Sequence, residues 1–72
     1  MLLDQESLRF IFGLKLRGFR QAKGLSLKNL ARSSGLSPSY INEIEKGKKY
    51  PKSDKILLLA KGLEISYDEL IS

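Results

Sequence analysis

The chain of 72 residues contains no cysteine and no histidine. No disulfide can staple it, and no thiolate or imidazole metal site can form. Without staples, a core of this size rarely supplies more than ~3–5 kcal/mol, so the fold must rest on close packing of short, well-capped elements. There is room for one domain, spanning 1–72. Cysteine usage leaves the redox compartment open, and a reducing cytosol poses no difficulty. Long apolar runs are also missing. The longest, "ILLLA" at 56–60, is far short of the ~20 residues that cross a bilayer. The N-terminal "MLLDQESLRF" carries acids where a signal peptide carries bases, and has no small-residue cleavage site. The expectation is a cytoplasmic protein with no membrane partner. Catalytic furniture is absent as well: no serine in a nucleophile motif, no Gly-rich phosphate loop, and acids too scattered to pair. Neither an enzyme, a metal, a cofactor nor a small-molecule ligand is expected.

Positive charge, by contrast, is plentiful. Thirteen Lys/Arg face eight Asp/Glu, a net +5. Residues 9 to 55 hold twelve of those bases and only three acids, whereas residues 62 to 72 hold three acids and no base. A basic body on so small a domain points to an anionic partner, nucleic acid before a membrane surface.

Punctuation organises the rest. Gly-Leu follows an apolar helical pattern at 24–25, 35–36 and 62–63, and a serine comes after it at Ser26, Ser37 and Ser66. Glycine after a helix adopts the left-handed conformation cheaply, the leucine can pack back, and serine caps the next helix. "SYDE" at 66–69 also fits a capping box. An all-α, compact five-helix bundle follows. The first helix is expected over Glu6–Lys23, with Leu8, Phe12, Leu16 and Phe19 inward. Gly13 and Gly18 inside it each cost about 1 kcal/mol relative to alanine, which close helix packing would explain. The others are expected over Leu27–Ser34, Pro38–Lys46, Asp54–Lys61 and Tyr67–Ile71. No alternating run suggests a strand.

The second and third helices are joined by Ser34-Gly35-Leu36, the size of a helix-turn-helix, which holds its second helix out for the major groove of DNA. At 100° per residue, Ile41, Ile44 and Glu45 share one face of the third helix, and Ser39, Asn42, Glu43 and Lys46 share the other. Asparagine reads adenine bidentately and glutamate accepts from cytosine N4. Glu43 can instead pair with Lys46 one turn on. Tyr40, at the flank, suits a phosphate or a thymine methyl. Lys46, Lys48, Lys49, Lys52 and Lys55 follow, where a loop beside the groove would meet phosphate. Ser26, Lys28 and Ser37 lie at helix N-termini, whose N–H groups suit phosphate. A solvated face is the usual fate of such a helix surface, and it is the turn and the lysines that favour DNA.

"LRGFRQAKGLS", "NLARSSGLSPSYINEIEKGKKYP" and "LAKGLEISYDEL" resemble the Cro/C1-type, or XRE-family, helix-turn-helix domain over about residues 12–70, leaving 1–7 as an N-terminal extension. The resemblance implies the lambda-repressor-like DNA-binding fold. It also implies a homodimer on a near-palindromic double-stranded DNA operator, acting as a transcriptional regulator and most simply a repressor. Ser39, Tyr40, Asn42 and Glu43 would face bases; Ser26, Lys28, Ser37, Lys46, Lys48 and Lys49 would meet phosphate. The family's glutamate at Glu45 pairs with an arginine of the first helix, here Arg20. Leu27 stands where a phosphate-anchoring glutamine is frequent, and Pro38 where a base-contacting side chain is common. Tyr67, Leu70 and Ile71 suit a dimer contact or the core equally well. The competing reading is a protein-interaction module, such as an antirepressor, antitoxin or polymerase-contacting adaptor, on the same fold.

Overall fold

Five short segments become helices because each has its own start and stop. A computed structural model of the chain describes residues 3–72. It contains α1 (Gln5–Ala22), α2 (Leu27–Ser34), α3 (Pro38–Glu45), α4 (Ser53–Leu63) and α5 (Tyr67–Ile71), with no strand among the described residues. Ser26, Ser37 and Ser66 each accept a bond from the backbone N–H three residues on, as expected. Asp4 does the same for Ser7 at 2.7 Å, which starts α1 one residue earlier than Glu6. Of the expected extension over 1–7, residues 1–2 lie outside the described residues, and Gln5 to Ser7 form the first turn of α1.

The stops differ from the sequence pattern in one place. Gly24 and Gly35 are left-handed, with φ of 70° and 75°. Gly62 is not; it lies inside α4, which runs past Lys61 to Leu63. A Cβ on Gly62 would sit 3.0 Å from Ser33 Oγ and from Ser34 Cβ, so this glycine lets α2 and α4 approach closely. The third left-handed glycine is Gly47, at the end of α3. The α4 stop falls to Glu64 at φ 59°, where Ile65 N–H bonds Ala60 O at 3.0 Å as in a Schellman cap. A side chain in that conformation costs roughly 1–2 kcal/mol. Glu64→Gly is therefore expected to stabilise the domain by about 1 kcal/mol, read as a melting temperature about 4–8 °C higher. An unchanged or lower midpoint would show that the turn carries no strain.

Packing gathers the helices around Leu16, Leu30, Ile41, Ile44, Leu59, Leu63 and Leu70, all fully buried. α4 packs against α2, and α1 packs against α3. Leu70 belongs to this core and Tyr67 packs against it, so of the three tail residues only Ile71 stays exposed. Leu8 was expected inward but is exposed, because the first turns of α1 overhang the core and Leu8 borders a groove beside Tyr50 instead. Phe12 and Leu16 are buried and Phe19 is partly so.

Candidate nucleic-acid interface

The turn between α2 and α3 is built from backbone bonds. Gly35 and Leu36 N–H both bond Ala31 O, at 2.9 and 3.1 Å. Ser37 Oγ then accepts from Tyr40 N–H at 3.1 Å, and Pro38 opens α3 with its φ already helical. Ile41 and Ile44 are buried, which turns Ser39 and Lys46 to solvent and leaves Asn42 and Glu43 half-exposed at the rim.

α3 is locked from behind. Arg20 Nε donates to Glu45 Oε2 at 2.7 Å and Nη2 to Oε1 at 3.0 Å, a bidentate pair. Nη1 donates to Leu25 O at 2.8 Å, so one guanidinium ties together α1, the α1–α2 turn and α3. The side chains are 12% and 5% exposed. The hydrogen bond to Glu45 raises the Arg20 pKa further, against the opposing pull of burial.

Beyond α3, Gly47 at φ 77° closes a Schellman cap, with Lys48 N–H bonding Glu43 O at 2.9 Å and Gly47 N–H bonding Ile44 O at 3.0 Å. The Tyr50 ring packs against Phe12 at a tilt of 46°, centroids 5.1 Å apart, and Pro51 is buried, so the loop is pinned to the body at its far end. The result is an open groove of about 580 Å³ carrying Arg9, Lys48, Lys49, Lys52 and Lys55. The Tyr40 and Tyr50 rings complete its walls.

An exposed polar helix held outward by a capped turn, beside a cationic groove, coincides with a family match. The helix-turn-helix profile HTH_3 matches residues 16–70. The chain belongs to that family, of Cro/C1 type. DNA-binding regulation of transcription comes with that membership. The chain is 40% identical over 60 residues to the uncharacterized HTH-type transcriptional regulator YazB of Bacillus subtilis, covering 83% of this chain and 87% of YazB. It is 41% identical to the HTH-type transcriptional repressor RghR of the same organism, of which it spans only 45%. Among solved structures, the restriction-modification controller protein C.AhdI from Aeromonas hydrophila superposes with a TM-score of 0.89 at 41% identity, covering 94% of this chain and 99% of that one. The clp gene regulator ClgR from Corynebacterium glutamicum gives 0.82 at 36% identity, covering 89% and 83%.

Within this HTH_3 frame, the expected site residues are placed as follows. Ser39, Asn42 and Lys46 lie on the outer face of α3. Tyr40 is partly buried; burial raises its phenol pKa, opposed by Lys49 and helped by Asp54, so it stays a neutral O–H able to donate. Ser26 and Ser37 spend their oxygens on capping, and Ser26 Oγ also donates to Asn29 Oδ1 at 2.8 Å. Lys28 is exposed on the first turn of α2. Glu43 differs from expectation. Its carboxylate meets Lys49 Nζ at 3.1 Å, not Lys46, because the Schellman turn folds the loop back over the end of α3. The same ammonium lies 5.6 Å from the centre of the Tyr40 ring. Leu27, at the place of the family's glutamine, packs against the core. Sequence reasoning missed Arg9, whose Nε donates to Gly47 O at 3.3 Å. That contact joins positions 38 apart in the chain, and no local signal announces it. Among the described residues no helix is long and apolar enough to cross a membrane.

Proposed function

We propose that this chain acts as a repressor by docking α3 in the major groove of a near-palindromic operator, as a homodimer. The supporting observation is the division of α3: one face is committed to the core and to Arg20, and the opposite face is polar and unburied beside the lysine groove. Ser39, Tyr40, Asn42 and Glu43 meet base edges. Lys46, Lys48 and Lys49 contact phosphate, joined by the N-terminal end of α2 at Ser26 and Lys28 and by Ser37. Occupancy of the operator is the whole mechanism, with half-sites about 10 bp apart.

In vitro selection of random duplex DNA on the purified chain should return a palindrome with that spacing. Recovery of no enriched sequence would sink the base-reading claim. The electrostatic part has its own test. Lys48→Ala with Lys49→Ala should weaken binding to all duplexes alike and reduce the slope of log K against log salt by about 2. Binding that ignores salt in the parent protein would favour a protein partner over DNA.

A further inference from the structure

The cations lining the groove beside the end of α3 are not equivalent. Lys49 Nζ meets the Glu43 carboxylate at 3.1 Å, and Lys55 Nζ lies 3.9 Å from Asp54 Oδ2. Among the described residues Arg9, Lys48 and Lys52 have no carboxylate within ion-pair distance. Lys48 and Lys52 are exposed on the loop, whereas Arg9 is half-buried on α1. Its Nε is tied to Gly47 O at 3.3 Å, at the left-handed turn that ends α3. Arg9 also lies outside residues 16–70, so the HTH_3 match gives it no role.

The bond to Gly47 uses one of the five N–H groups of the guanidinium and leaves the four on Nη1 and Nη2. Asp4 is no substitute partner for them. Its carboxyl is held below the usual range first by the bonds from Ser7, and the Arg9 charge is the last of the causes. A side chain anchored through Nε has lost much of its rotamer freedom before any ligand arrives. What it still offers is a planar pair of donors, the geometry that grips a phosphate at two points. The company it keeps favours phosphate over a lone carboxylate. Lys48 and Lys52 share the groove, and a row of unpaired cations suits the dense charge of a duplex backbone. The anchoring carbonyl matters as well. Gly47 O stands at the negative end of α3, where a bare carbonyl would repel an approaching phosphate. Arg9 covers that oxygen with positive charge.

We infer that Arg9 is a phosphate-binding residue: its Nη groups hold the DNA backbone beside the end of α3, extending the footprint from the loop onto α1. The assignment rests on the DNA reading above and deepens it. The test is binding of the full chain to one mixed-sequence duplex across a salt series. Arg9→Gln should reduce the slope of log K against log salt by about 0.9 and weaken binding about tenfold at ~0.1 M salt. Its melting curve should match the wild type, because the side chain is not part of the core. Arg9→Lys should keep the slope, since the charge remains. Lys61 lines a separate groove with Leu25 and Glu64, and Lys61→Gln should leave slope and affinity alone.

A wild-type slope in Arg9→Gln overturns the inference, whether or not affinity drops. Weaker binding with the slope kept would mean that Arg9 only holds the Gly47 turn in place. A slope lost equally in Arg9→Lys or in Lys61→Gln overturns it too, because the effect would then follow neither the charge nor its position. These outcomes leave the DNA reading intact. A wild-type chain with no salt-sensitive duplex binding strikes that reading, and this inference with it.

Discussion

Arg20→Ala should leave the domain largely unfolded at room temperature. Removing one partner of a buried ion pair typically costs ~3–5 kcal/mol, because the other charge stays behind unpaired. Glu45 would be that charge, with a side chain only 5% exposed. A domain of this length holds about the same amount in total. The loss is compounded at Leu25 O, which also gives up its bond from Nη1. Urea unfolding followed by circular dichroism would measure it. Arg20→Lys should recover only part, since an ammonium cannot reproduce the two-point fork. The sharper comparison is the double change Arg20→Met with Glu45→Leu. It should be more stable than either single change, because no charge is stranded. A single variant that melts like the wild type would mean that the pair contributes nothing to holding α3.

The second large effect comes from one substitution made at two positions of the same helix. A Cβ on Gly13 would run into the Ile44 carbonyl and lie 2.8 Å from Glu45 O, both backbone atoms of α3. Neither can swing aside as a side chain would, so α1 and α3 must separate. Gly13→Ala should cost about 3 kcal/mol, the upper end for overpacking. Duplex affinity should fall with it, since α3 is the element displaced. Gly18 has nothing within 4 Å of the same position. Gly18→Ala should gain about 1 kcal/mol and raise the melting temperature about 4–8 °C. Thermal melts of the two variants side by side check both signs. Equal shifts would discard the close approach of α1 to α3.

That contrast shows where the sequence was readable. Both glycines interrupt the same apolar helix, and only the neighbouring chain distinguishes them. Features set within four residues were legible: the serine caps, Pro38 at the start of α3, the left-handed Gly24 and Gly35. The inward face of α3 followed from periodicity. The family resemblance supplied the pairing of Arg20 with Glu45, 25 positions apart, which spacing alone cannot give. What stayed hidden was decided by tertiary approach. Gly62 looks like a stop and is a contact with α2; Gly47 does the stopping for α3. Glu43 takes Lys49 because of how the loop returns, and Arg9 reaches Gly47 across the molecule.

The division of α3 into a fixed face and a free one has an evolutionary side. Ile41, Ile44 and Glu45 carry the attachment to the body, while Ser39 and Asn42 point away from it. Letters at 39 and 42 can be rewritten with almost no effect on whether the chain folds. Under the proposed docking, a descendant would acquire a new operator by exchanging two side chains, and a designer could do the same. Position 43 is less free, because changing it also releases Lys49 from its carboxylate. Under the proposed docking, retargeting through 39 and 42 would change which sequence is held, and retargeting through 43 would change both that and how tightly any sequence is held.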